Sequence, residues 1–243
     1  AILYPSWLHY SRSTMTEIVV MSMYIIICML MTLYLDNHKP GILVALIISL
    51  IYIYTVHMRT VAILIAAVIT LGIYTFSCCG NDRKKWRKIA AVIIAFILLF
   101  MIANQIKVYI TQNIYTDIAR ESVAGNDYSG QVGKIKSIFT LTGFRNLIIS
   151  ILCKIWYLGL ASFGLFYWGV YVCFKRLRQQ KKLVYLFILL ATAGEIAVTA
   201  IYTTGIGGRI DGLTYGRYNE QILPILMVLG CIGVMESRHI VKP

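Results

Sequence analysis

The chain has 243 residues, 59% hydrophobic and 14% charged, with a formal net charge of +13 at pH 7. Together with a mean hydropathy of +0.75, this excludes an ordinary soluble domain and predicts a polytopic membrane protein. The positive charge is therefore read by position, as an orientation signal rather than a nucleic-acid footprint.

The first stretch, 1–16, is external in the reading developed below. Pro5 bars a continuous helix, and Ser13, Thr14 or Thr16 can cap the following one with Glu17 in its first turn, near the positive end of the helix dipole. One reading makes these residues a simple cap; the other has His9, Tyr10, Arg12 and Glu17 lining a pocket at the interface. A helix needs about 20 apolar residues to cross roughly 30 Å of hydrocarbon. Candidate spans are 17–35, 41–56, 60–76, 89–106, 146–174, 183–203 and 220–236. The fold class expected is all-α, a single transmembrane domain over 1–243 with seven crossings.

Between Gly41 and Phe76 the sequence is apolar except around His57 and Arg59. As one straight helix this run would reach about 54 Å, too long for the bilayer core, so the chain must turn near His57–Arg59. The flanking runs are short, which sinks the turn below the membrane surface. Arg59 there either snorkels to headgroups or meets a buried ligand phosphate.

Arg83, Lys84, Lys85, Arg87 and Lys88 follow span three; Lys175, Arg176, Arg178, Lys181 and Lys182 follow span five; Arg238 and Lys242 follow span seven. Seven crossings put all three clusters on one face, cytoplasmic by the positive-inside rule, with anionic membrane lipids as secondary partners. The opposite face then receives 1–16, 57–59, 107–145 and 204–219. Within 107–145, Asn113–Val123 reads as a short amphipathic helix, Ala124–Gly130 as a breaker, and Val132–Phe139 as an interfacial helix, together a lid along the membrane surface.

Span five carries Lys154, read as snorkelling outward, and span six carries Glu195 near mid-membrane, read as an interhelical hydrogen-bonding group or a proton-path carboxyl. The glycine-rich segment before span seven ends in Arg209 through Pro224. Its Arg209 and Arg217 are planar donors suited to phosphate, or else partners of Asp211 and Glu220. The six cysteines show no C-x-x-C spacing, so neither a disulfide framework nor a metal site is expected. Cys78-Cys79 at a helix end is an acylation candidate, with two buried thiols the plainer reading.

Tyr10–Glu17, His57-Met58-Arg59-Thr60, Trp156-Tyr157-Leu158 and Tyr215–Glu220, taken in order, resemble the membrane domain of polyprenyl-phosphate-dependent glycosyltransferases with the C-type fold. That group includes protein O-mannosyltransferases and lipid A aminoarabinose transferases; the likeness is greatest to bacterial members and covers most of the chain. The resemblance implies transfer of a sugar from a lipid-linked donor to an acceptor glycan, lipid or protein at the external face of the cell membrane. It implies lipid-phosphate or substrate contacts for Arg12, His57, Arg59, Arg209, Tyr215, Arg217 and Glu220, and a pocket-acid role for Glu17. The family's catalytic acid lies in a first external loop that no segment here matches, so the presumed base is expected upstream of Ala1, in a longer chain. No cofactor is evident, and a divalent metal stays open. The competing class is a transporter or flippase of a lipid-linked sugar; a structural membrane subunit is the third.

Overall fold

The computed structural model describes residues 16–78, 83–113, 135–136, 138–204 and 217–240. Among them the fold is all-helical: α1 Thr16–Asn37, α2 Pro40–Val56, α3 Val61–Cys78, α4 Arg83–Asn113, α5 Leu141–Ala161, α6 Leu165–Gln180, α7 Leu183–Thr204 and α8 Leu223–Ile240. Two 3-10 turns, Met58–Thr60 and Arg217–Ile222, complete it. Four stretches, Glu17–Asn37, Leu141–Ala161, Leu183–Thr203 and Tyr218–Ser237, are long and apolar enough to cross a membrane, and Pro40–Val56, Val61–Ser77 and Phe96–Ile110 are shorter apolar helices.

α7 is the central post. It packs against α3, α5, α6 and α1, and α6 packs closely along α8. Tyr24, Ile27 and Met31 of α1, Leu46 and Leu50 of α2, Ile63 and Ala67 of α3, Phe187 and Ala191 of α7 and Leu226 of α8 share one buried core. α4 contributes none of that core among the described residues. Its Ile93, Ile94, Ile97, Leu98, Met101 and Ile102 are exposed, a face that suits hydrocarbon and would be an aggregation surface in water.

The helix ends sort into two groups. At one end Asp36 at the close of α1 lies 3.9 Å from Lys182 before α7, His38 stacks on Tyr74 of α3 at 5.4 Å, and Arg176 of α6 pairs with Glu236 of α8. The edge contact of Phe76 with Trp86 brings the basic start of α4 to the same end. The runs Arg83–Lys88 and Lys175–Lys182, together with Arg238, thus share one end of the bundle. The start of α1, the Met58–Thr60 turn, the close of α7 and the Arg217–Ile222 turn gather toward the other.

Residues 146–174 do not form one helix. The chain breaks at Ser162–Gly164, where Phe163 and Gly164 take φ of 52° and 80°. The Ser162 hydroxyl splices the two pieces, donating to the Leu158 carbonyl at 2.7 Å and accepting from the Phe166 N–H at 3.0 Å. Tyr167 fills the bend, donating to the Ile155 carbonyl at 3.2 Å. Direction is nevertheless kept: Lys154 lies level with Thr203 at the close of α7, and Arg176 level with Glu236 near the close of α8. Sequence patterning missed the break because Ala161, Phe163 and Leu165 keep the run apolar.

α4 is also longer than the predicted span 89–106, since charged ends that stop a hydropathy window do not stop a helix. The predicted helix over 113–123 and the breaker 124–130 lie outside the described residues, apart from Asn113 itself, which closes α4. Of the predicted interfacial helix only 135–136 and 138 are described as helical, followed by exposed Phe139.

Candidate functional site

The site is built at the end of the bundle opposite the basic clusters, starting from the sunken turn. α2 closes when His57 adopts an extended backbone with φ −150° and ψ 115°. The Thr60 hydroxyl donates to the His57 carbonyl at 2.7 Å, and the Arg59 N–H donates to His57 Nδ1 at 3.4 Å. This fixes Arg59 pointing toward α7. Its guanidinium lies 3.5 Å from the ring centroid of Tyr218 and 5.1 Å from that of Tyr202. Two rings that hold a guanidinium by its faces leave its N–H edge to recognise a planar or tetrahedral anion. No carboxylate among the described residues is ion-paired with Arg59.

Tyr218 is held by the turn that bears it, and successive residues of that turn are tied to different helices. The Asn219 amide donates to the Glu195 carbonyl at 3.0 Å and to the Thr199 hydroxyl at 2.8 Å. Glu220 accepts from the Tyr157 hydroxyl of α5. Gln221 donates to Glu195 Oε2 of α7 at 2.7 Å. Asn219, Glu220 and Gln221 are all buried. A polar segment enters the bundle here because its groups are satisfied by other helices rather than by water.

Beside this turn, Lys154 of α5 is fully buried, its ammonium donating to the Thr203 hydroxyl at 3.3 Å. Thr203 also lies 3.1 Å from the Ser150 hydroxyl and donates to the Thr199 carbonyl at 3.0 Å. The outward snorkelling expected of Lys154 is corrected: the helix turns it into the bundle, where α7 supplies a hydroxyl. Glu195 is fully buried about two turns deeper than Thr203 on α7, its Oε1 without a hydrogen-bond partner among the described residues. The interhelical role expected of Glu195 is present in its bond to Gln221.

Of the residues singled out in the sequence, Arg59 and Glu220 meet within this cluster, and His57 shapes the turn beneath it. Glu17 stands in the first turn of α1, a helix that packs against the 217–222 turn. Arg217 opens that turn, with its side chain outside the described set. Arg12, Arg209 and Tyr215 lie outside the described residues. Sequence reasoning missed Tyr157, Tyr202, Tyr218, Lys154, Thr203, Asn219 and Gln221 as one constellation. The available signal was the polar run Tyr218-Asn219-Glu220-Gln221 entering a span, which asks for partners at membrane depth.

Just outside Tyr157, an apolar groove of about 560 Å³ runs over α5 and the start of α6, lined by Leu152, Trp156, Leu160 and Tyr167. Among the described residues no group of three or more His, Cys, Asp and Glu converges in a way that would hold a metal ion. No family model, curated protein or solved structure matches the chain.

Proposed function

We propose that this chain is the membrane domain, or its C-terminal part, of an integral-membrane glycosyltransferase. The sugar passes from a polyprenyl-phosphate donor to an acceptor at the face opposite the basic loops. The protein is multi-pass in the cell membrane, with those loops cytoplasmic.

The observation that supports this reading best is Arg59, stacked on Tyr218 at 3.5 Å and facing Tyr202 at 5.1 Å, at the end of the bundle away from the basic clusters. Breaking a sugar–phosphate bond builds negative charge on the departing lipid phosphate. A preoriented guanidinium in a partly dry site stabilises that charge more in the transition state than in the ground state. Arg209 and Arg217, carried on the adjoining segment, would add to the same field. Deprotonating the acceptor hydroxyl needs a general base.

In membranes expressing the complete chain, Arg59→Ala is expected to abolish sugar transfer from a polyprenyl-phosphate donor while membrane abundance stays constant. Wild-type transfer by this variant would defeat the reading. A second reading, translocation of a lipid-linked sugar, draws on the buried Glu195 and its unpartnered oxygen. It requires flipping by reconstituted vesicles that is lost in Glu195→Gln.

A further inference from the structure

The outward face of α6 carries a stripe that the site does not use. Gly169, Val172 and Cys173 are buried on one side of this helix, with Gly169 set against the Leu226 carbonyl of α8. Trp168, Tyr171, Lys175 and Arg178, spaced i, i+3, i+7 and i+10, fall on the other side. Trp168, Tyr171 and the neighbouring Phe174 are exposed, and the Trp168 and Tyr171 ring centroids lie 5.3 Å apart. The Trp168 indole is seated on α8, since a Cβ on Gly233 would come within 3.1 Å of its Nε1.

The depth of the stripe is set by α8. Arg176 pairs with Glu236 and donates to the Tyr185 hydroxyl at 3.2 Å, and Glu236 stands one residue before the close of the apolar stretch Tyr218–Ser237. Lys175 and Arg178, on either side of Arg176, therefore lie at the boundary where apolar sequence ends and lipid headgroups begin, with the aromatic rings toward hydrocarbon. The pairing also neutralises Glu236, and among the described residues the other acid at this end, Asp36, lies 3.9 Å from Lys182. Lys175, Arg178 and Lys181 thus make this end of α6 a net positive patch continuous with an exposed aromatic face.

We infer that this face of α6 binds an anionic glycerophospholipid, its phosphate held by Lys175 and Arg178 and an acyl chain laid over Tyr171 and Trp168. Charge complementarity selects the occupant. A zwitterionic lipid offers the same chains but brings a cationic group to the two side chains, whereas a lipid of the phosphatidylglycerol type brings net negative charge. The stripe from Trp168 to Arg178 is about 15 Å long at 1.5 Å per residue, half of the roughly 30 Å hydrocarbon core and so the depth of one leaflet. The site is separate from the Arg59 cluster and holds whether or not the chain transfers a sugar.

The test uses the complete chain reconstituted in phosphatidylcholine bilayers, with Trp7→Phe, Trp86→Phe and Trp156→Phe leaving Trp168 as the single tryptophan. Chain-brominated phosphatidylglycerol is expected to quench Trp168 at a lower mole fraction than chain-brominated phosphatidylcholine. Lys175→Gln or Arg178→Gln should each lower the relative affinity for the anionic lipid by about five-fold. Quenching by the brominated phosphatidylcholine, which needs only a folded chain in the bilayer, should stay constant, and Lys175→Arg combined with Arg178→Lys should keep the preference. A second chain that retains only Trp156, exposed on α5, reports any general enrichment of anionic lipid around the protein. Equal quenching of Trp168 by the two lipids, a preference that survives in the Lys175→Gln, Arg178→Gln double variant, or the same preference at Trp156 overturns the inference.

Discussion

At the scale of single residues, close helix contact is bought with glycine. A Cβ on Gly169 would come within 2.1 Å of the Leu226 carbonyl oxygen, and one on Gly230 within 2.5 Å of that of Leu165, while Gly72 faces open space. The obstructing atoms of α6 and α8 are backbone and can move only by separating the helices. Gly169→Ala or Gly230→Ala should therefore cost about 1–3 kcal/mol, read as a lower melting temperature in detergent. Gly72→Ala should instead be neutral or stabilising by about 0.5–1 kcal/mol. Lys154 shows what single-residue reading can and cannot supply. Its place toward the external end of span five was read from the sequence. Its direction was not, because the rotation of α5 is set by Thr203, 49 residues away, and no local pattern encodes that pairing.

Among the elements, the 3-10 turn Arg217–Ile222 does the most with the fewest residues. Its hold on three other elements runs through Tyr218, Asn219, Glu220 and Gln221. Asn219→Leu keeps the branched shape and removes the hydrogen bonds to Glu195 and Thr199 of α7. The expected outcome is amide hydrogen exchange over Tyr218–Ile222 faster by about ten-fold or more, with α1 and α3 unchanged; unaltered exchange would mean that other contacts hold the turn. The lengths and starts of α1, α2, α3 and α7 followed closely from apolar runs bounded by charge, proline or histidine. The break between α5 and α6 did not. Ser162-Phe163-Gly164 is the kind of small-residue step that permits a left-handed turn, but the apolar residues on either side hide it from a hydropathy reading.

For the molecule as a whole, the basic clusters were legible as one group in the sequence, and the helix contacts bring their helix ends together. By the positive-inside rule that end would face the cytoplasm. In a cysteine-free background, Gln180→Cys should react with an impermeant maleimide only after membranes are opened, and Thr140→Cys should react from outside in intact cells. The opposite pattern would invert the topology. The turn at 57–60 has a consequence for kinetics. Ala62 packs against Gly194, whereas α7 runs on to Thr204, so at 1.5 Å per residue the post rises about 15 Å past the level of Ala62. The Arg59 guanidinium faces Tyr202 near the close of that post, against a low-dielectric wall that gathers field lines instead of letting them spread into solvent. Capture of an anionic ligand should then be steered, with an association rate that falls steeply as ionic strength rises while dissociation changes little.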